Sequence, residues 1–314
     1  MKREPTMVSL IEDYLAFRRQ LGFKLGTDGD ELRLFARYAD RSGHRGPLTI
    51  ELAVRWAQLP TKATPAYWVW RLDAVRMFAQ HRVLEDPRTE VPPRGLLGPA
   101  FRRGQPHIYS AEEIAALLRA TRTLHRRMRP HTCEALFGLL AATGLRVGEA
   151  LGLTRQHVDL ETGVINIVKS KASKCRIVPL HPSTTAALRR YAAVRDRVHP
   201  NPKSDAFFLT DRGTALSYQR VTVTFRTLRR QLSWRAPPGG AAPRVHDLRH
   251  TFTVRALLRW HEAGANVDEK IAALATYLGH VNPTSTYWYL TAVPELMAVT
   301  GRRFERYARQ GGIR

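Results

Sequence analysis

Arg146, Lys171, His246, Arg249, His280 and Tyr289 supply one phenol, two guanidiniums, one amine and two imidazoles within 144 positions of this 314-residue chain. A phenol is a potential nucleophile, the guanidiniums are permanent cations with forked donors, and the amine and imidazoles can carry protons. Together they suit phosphoryl transfer on a nucleic-acid backbone, where an attacking oxygen must be activated and a dianionic transition state neutralised. The sequence sets no cluster of potential metal ligands beside them, and it contains no Walker motif.

Local patterns say how each group is presented. ALFGLLAATGLRVGEALGL (135–153) is apolar on both sides of a Thr-Gly break, so one helix ends at Gly144 and Arg146 starts the next. A helix start favours an anion, and Glu149, three residues on, is placed to hold the guanidinium. Residues 164–168 and 176–180 are β-branched runs joined by a tip bearing Lys169, Lys171 and Lys174, three of the chain's eight lysines. That pattern predicts a β-hairpin with a basic tip.

His246 and Arg249 lie at i and i+3 of a helix opened by HDLRH and can meet one anion. The i, i+4 pair His246/His250 also fits zinc, but Asp247 stands where a metalloprotease has Glu, and Arg249 would sit beside the metal. The phosphate reading is preferred, with His250 as a packing or hydrogen-bonding residue. Tyr287 and Tyr289 point about 200° apart around a helix, so one faces the core when the other faces a substrate.

In order, context and spacing these residues resemble the tyrosine recombinases, the phage integrase family, over residues 110–300. The resemblance implies that Arg146 and Arg249 clamp the scissile phosphate and that His246 is a general acid/base. The tyrosine of that family follows its Leu-Gly-His histidine by nine residues, which selects Tyr289 after His280 as the nucleophile and leaves Tyr287 packed. Its hairpin lysine precedes an Arg-x-Val-Pro-Leu strand by five residues, which selects Lys171, leaving Lys169 and Lys174 as backbone contacts. The implied reaction is metal- and cofactor-independent site-specific recombination through a 3′-phosphotyrosyl intermediate, serving integration and excision of a mobile element. A type IB topoisomerase shares this chemistry, and an inactive DNA-binding accessory protein shares the fold. Every expected catalytic position is filled here, which speaks against the accessory protein. The resemblance further implies a homotetramer on two duplexes, with sister recombinases as further partners. A C-terminal helix over 295–309 would be exchanged between protomers or packed on its own domain.

Charge favours the same partner. The chain holds 50 Lys and Arg against 27 Asp and Glu, for a net charge of +23. Residues 1–100 carry +4 and the remainder +19. An excess of this size is an electrostatic footprint for a polyanion and favours nucleic acid, which the resemblance makes double-stranded DNA. Two cysteines, Cys133 and Cys175, outside any Cys-x-x-Cys pair, do not suit a disulfide scaffold or a structural zinc site. No stretch reads as a signal peptide or membrane span, so a cytoplasmic setting is expected.

The elements that must position the site read as mainly α with a small antiparallel β-sheet. Helical periodicity appears at Leu10, Tyr14, Phe17 and Leu21, then at Leu32, Phe35 and Ala39. It returns at Leu52 and Trp56, and at Leu72, Val75, Phe78 and Ala79. Residues 1–86 are thus expected to be a four-helix bundle, which the resemblance makes a core-binding domain gripping the far side of the DNA. Residues 87–106 hold five prolines and read as an extended linker whose Arg102 and Arg103 can follow phosphates. Residues 107–314 are the expected catalytic domain, opened by a capping box from Ser110 to Glu113.

Overall fold

The computed structural model describes residues 5–99, 104–168, 175–237, 240–279 and 289. Two compact units divide between Arg103 and Gly104.

The first unit contains α1 (Met7–Gln20), α2 (Gly26–Arg41), α3 (Ile50–Ala57) and α4 (Pro65–Arg82). Side-chain caps begin two of them: Thr6 accepts from the Ser9 amide and Thr49 from the Leu52 amide, each cap contributing about 1 kcal/mol. Pro65 stands in the first turn of α4, where its missing N–H costs nothing. Ile11, Leu15, Leu32, Phe35, Trp56, Val75 and Phe78 fill the core. Asp40, near the end of α2, ties down the start of α1 by accepting from the Met7 and Val8 amides.

The apolar face of α1 differs from the expected one. Met7, Ile11, Tyr14 and Leu15 are buried, whereas Phe17 and Leu21 are 42% and 57% exposed. Phe17 lies outside the core and stacks on His81 of α4, with ring centroids 5.1 Å apart. Residues 87–99 form no helix or strand. Val91 and Leu97 pack on the helical core, and the Glu90 amide donates to the Leu48 carbonyl.

The second unit contains α5 (Ala111–Ala120), α6 (Arg129–Thr143) and α7 (Val147–Leu151). Next come β1 (Val158–Asp159), β2 (Val164–Ile167) and β3 (Arg176–Pro179), and then α8 (Pro182–Val198), α9 (Tyr218–Gln231), α10 (Asp247–Glu262) and α11 (Val267–Leu278). Ser110 and Glu113 form the expected capping box at α5. The strands make one antiparallel sheet in the order β1-β2-β3, with Ile165 opposite Val178 and Ile167 opposite Arg176. Mostly α-helix with this small sheet is the fold class read from the sequence. The two-residue strand β1 was not anticipated, being too short to show alternation.

Buried Leu136, Phe137 and Leu140 of α6 join Ile165, Val178, Leu188, Phe225 and Leu248 in the main core. A second apolar cluster joins Val254 and Leu257 of α10 to Ile271, Leu274 and Leu278 of α11 and to Tyr289. Among the described residues no helix is long and apolar enough to cross a membrane.

Candidate active site

Three elements place cations around the end of α11. Helix α6 stops at Gly144, whose φ of +62° is the left-handed cap conformation that glycine adopts without strain. Space also demands glycine, since a Cβ there would lie 2.5 Å from the Phe252 ring. The turn sets Arg146 immediately ahead of α7, where its amide and Nη1 donate to Glu149 at 3.1 and 2.9 Å. The expected i, i+3 pairing is therefore present. Helix α7 is only five residues long, so the guanidinium rather than a helix dipole supplies most of the positive field.

Helix α11 ends at Leu278, and helix ends leave carbonyls without intrahelical donors. Three arginines from three different elements take those acceptors. Arg176 of β3 donates from Nε to the Tyr277 carbonyl at 2.8 Å. Arg249 of α10 donates from Nη2 to the Leu278 carbonyl at 2.8 Å and from Nη1 to the Gly144 carbonyl at 2.6 Å. Arg146 donates from Nη1 and Nη2 to the Gly279 carbonyl at 3.1 and 3.2 Å. Cations at a helix C-terminus also suit the dipole.

Burial separates the two clamp candidates. Arg249 is 3% exposed, and burial, then the charge of Arg146, pull its guanidinium down to about 10. It remains a cation at neutral pH. The Arg146 side chain is 37% exposed. Burial pushes the Glu149 carboxyl up, but hydrogen bonds from Arg176 and from the Arg146 amide, with both positive charges, overcome this and bring it to about 2.

His246 holds the residue position just ahead of α10, and its imidazole is held below the usual histidine value, first by burial and then by the charge of Arg249. With Arg146, Val147, Gly148, Glu149 and Tyr218 it lines an open cavity of about 480 Å³. Tyr289, expected from the sequence to be the tyrosine facing a substrate, is instead 2% exposed within the apolar cluster of α10 and α11, and its hydroxyl lies 2.6 Å from Nδ1 of His250. Asp247 turns away from His246 to accept from the amide and Nη2 of Arg244 at 2.8 and 3.0 Å. Among the described residues no three His, Cys, Asp or Glu side chains converge as metal ligands.

Arg146, His246, Arg249 and Tyr289 thus belong to one assembly around α10 and the end of α11. Lys169, Lys171, Lys174, His280, Arg102, Arg103, Tyr287 and the 295–309 segment lie outside the described residues. Sequence reasoning used Arg176 only to mark a strand and gave His250 no contact with the phenol. Their partners are distant in sequence, and the alternation of β3 was the only available hint that Arg176 shares a face with buried Val178.

The model of the phage integrase family matches residues 108–295. A putative integrase/recombinase of Sinorhizobium fredii, y4rB, is 41% identical over 308 residues, covering 96% of this chain and 98% of its own. The tyrosine recombinase XerC of Yersinia pestis is 28% identical over 220 residues, covering 70% of this chain and 66% of its own. Among solved structures, the Tn1549 transposon integrase in complex with circular intermediate DNA aligns with a TM-score of 0.68 at 18% identity. That alignment covers 96% of this chain and 100% of the integrase chain, a likeness of fold. The family match, the near full-length relative and the shared fold together place the chain in the phage integrase family, the tyrosine recombinases.

Proposed function

We propose that this DNA recombinase cuts and rejoins double-stranded DNA through a covalent 3′-phosphotyrosyl link to Tyr289, and that it moves a mobile element. The observation that carries the reading is the convergence of Arg146 and Arg249 on the Leu278–Gly279 carbonyls, beside a helix that also presents His246 and contacts Tyr289 through His250. In the reaction a phosphate replaces those carbonyls as acceptor. The two guanidiniums hold its non-bridging oxygens through charge-assisted, forked hydrogen bonds. The Tyr289 oxygen attacks phosphorus, its proton passes to a neighbouring imidazole, and the 5′-oxygen leaves with a proton from Lys171. His246 and His280 exchange protons with the reacting oxygens. Because the new ester keeps the bond energy, a 5′-hydroxyl of a second duplex reverses the step without ATP or a metal ion.

The DNA is bound by a strongly basic second unit together with Lys169, Lys174, Arg102 and Arg103, and the helical first unit grips the same duplex. Four protomers act on two sites, alongside sister recombinases where the element encodes them, in the cytoplasm where the DNA lies. The DNA complex of the Tn1549 integrase and a lambda integrase tetramer on a Holliday junction support these assignments.

The test is incubation with the ends of its own element, nicked beside the cleavage point, in EDTA. The expected product is protein joined to the 3′ side of the nick. A strict requirement for magnesium contradicts the reading, and relaxation of any supercoiled plasmid without recombinants makes the protein a topoisomerase. Lys171→Ala should be restored by a substrate with sulfur at the 5′-bridging position, a leaving group that needs no proton.

A further inference from the structure

Arg176 reaches three parts of the site at once. Its Nη1 and Nη2 donate to the two oxygens of Glu149 at 3.1 and 2.7 Å, a forked pair. Its Nε takes the Tyr277 carbonyl. Its guanidinium also lies under Gly279, where φ is +67° and an added Cβ would stand 2.7 Å from Nη1. Glu149 in turn holds Arg146 by amide and side chain, and Gly279 supplies the carbonyl to which Arg146 donates. The Arg176 side chain is 10% exposed, and its Nε, Nη1 and Nη2 are each already engaged by Glu149 or the Tyr277 carbonyl.

We propose that Arg176 is a positioning residue: acting through Glu149 and the Tyr277–Gly279 turn, it fixes the Arg146 guanidinium in the pose that receives the scissile phosphate. This role rests on the recombinase reading above. Without Arg176, Glu149 loses the partner that spans both its oxygens and becomes free to draw Arg146 toward itself, while the turn loses the donor beneath it. Lysine offers a point charge and cannot make the fork and the Tyr277 bond together.

The test compares Arg176→Gln, Arg176→Lys, Glu149→Gln and the double variant Arg176→Gln/Glu149→Gln with wild-type protein in single-turnover cleavage of nicked DNA. Arg176→Gln should cleave roughly ten- to a hundredfold more slowly, the range for a displaced catalytic group, with DNA affinity unchanged. Arg176→Lys should recover part of the rate, and the double variant should be no slower than the worse single one. The double variant also removes both buried charges together, so a defect that persists in its folded form is not misfolding. A 5′-bridging sulfur should restore none of these variants. Restoration by sulfur would move Arg176 to leaving-group protonation and overturn the proposal, as would a wild-type rate in Arg176→Gln or multiplying defects.

A readout without chemistry keeps this separate from the recombinase reading. The guanidinium ¹⁵N–¹H resonances of Arg146, assigned by their loss in Arg146→Lys, should broaden or shift in Arg176→Gln. Unchanged resonances refute the positioning role whether or not wild-type protein cleaves DNA. Failure of wild-type protein alone to form an adduct refutes the recombinase reading instead.

Discussion

The phenol of Tyr289 meets Nδ1 of His250 at 2.6 Å, bringing together residues 39 apart in the sequence. Tyr289 belongs to the apolar cluster between α10 and α11, and its partner His250 stands one helical turn from His246, which lines the open cavity. An oxygen bonded to an imidazole has a fixed direction, and in the tautomer with Nδ1 unprotonated it has a proton acceptor beside it.

His250 should therefore matter to chemistry as well as to packing. His250→Ala should slow formation of the DNA adduct by roughly tenfold or more, a modest share of what a positioned base contributes. His250→Asn, whose side-chain oxygen stands near the place of Nδ1, should retain more activity. Equal rates for wild type and His250→Ala in a rapid-quench assay would remove His250 from the reaction.

The pH profile reports on His246. Burial and Arg249 lower its pKa, with Arg244 and Arg146 adding to the shift and Asp247 opposing it. Glu149 and Tyr218 face it across the cavity, and the His250 ring lies 4.9 Å away. The folded imidazole therefore stays neutral to lower pH than an ordinary histidine of about 6.5. Cleavage should hold through that value as pH falls and decline only below it, and His246→Gln should lose this decline. Because the unfolded chain takes up the proton first, the same group weakens the fold as pH drops below its unfolded pKa. A rate that climbs on acidification would make His246 an acid in the limiting step.

Gly144 should not tolerate a side chain. Gly144→Ala would strain a backbone at φ +62° and drive a methyl to 2.5 Å from Phe252, and backbone strain of this kind alone costs on the order of 1–3 kcal/mol. The same shift moves the carbonyl that receives Arg249. Urea unfolding should show the loss, and cleavage should fall further than stability does. A variant as stable as wild type would mean the turn relaxes more readily than its neighbours suggest.

Arg146→Ala and Arg249→Ala should both cleave at least about a hundredfold more slowly, as expected when a charge partner of the transition state is removed. They should differ in stability. Arg146 is partly exposed, so its loss should leave unfolding nearly unchanged. Arg249 is buried and serves two buried carbonyls, so its loss should cost on the order of 2–6 kcal/mol, about 1–3 for each orphaned acceptor. Equal unfolding midpoints would contradict the bonding seen at Arg249.

Local signals read well from the sequence. The Ser110–Glu113 capping box, the Gly144 stop and the Arg146–Glu149 pair each join residues no more than three positions apart, so propensity and spacing suffice to place them. Contacts that close the site between elements did not read. Arg176 finds Glu149 27 positions away and the Tyr277 carbonyl 101 positions away. Main-chain carbonyls are present at every position and have no sequence signature. The α1 face went astray because Phe17 and Leu21 fit helical spacing as well as Met7 and Ile11 do, and only the packing of α2 and α4 decides between the two faces.

Everything proposed for the site depends on Tyr289 being the nucleophile. The most direct measurement of this is mass spectrometry of the proteolysed covalent complex formed on nicked DNA in EDTA, for wild type, Tyr289→Phe and Tyr287→Phe. Wild type and Tyr287→Phe should carry a 3′-phosphonucleotide on Tyr289, with no complex from Tyr289→Phe although it still binds the DNA. A complex that persists in Tyr289→Phe and carries its nucleotide on Tyr287 would contradict that role.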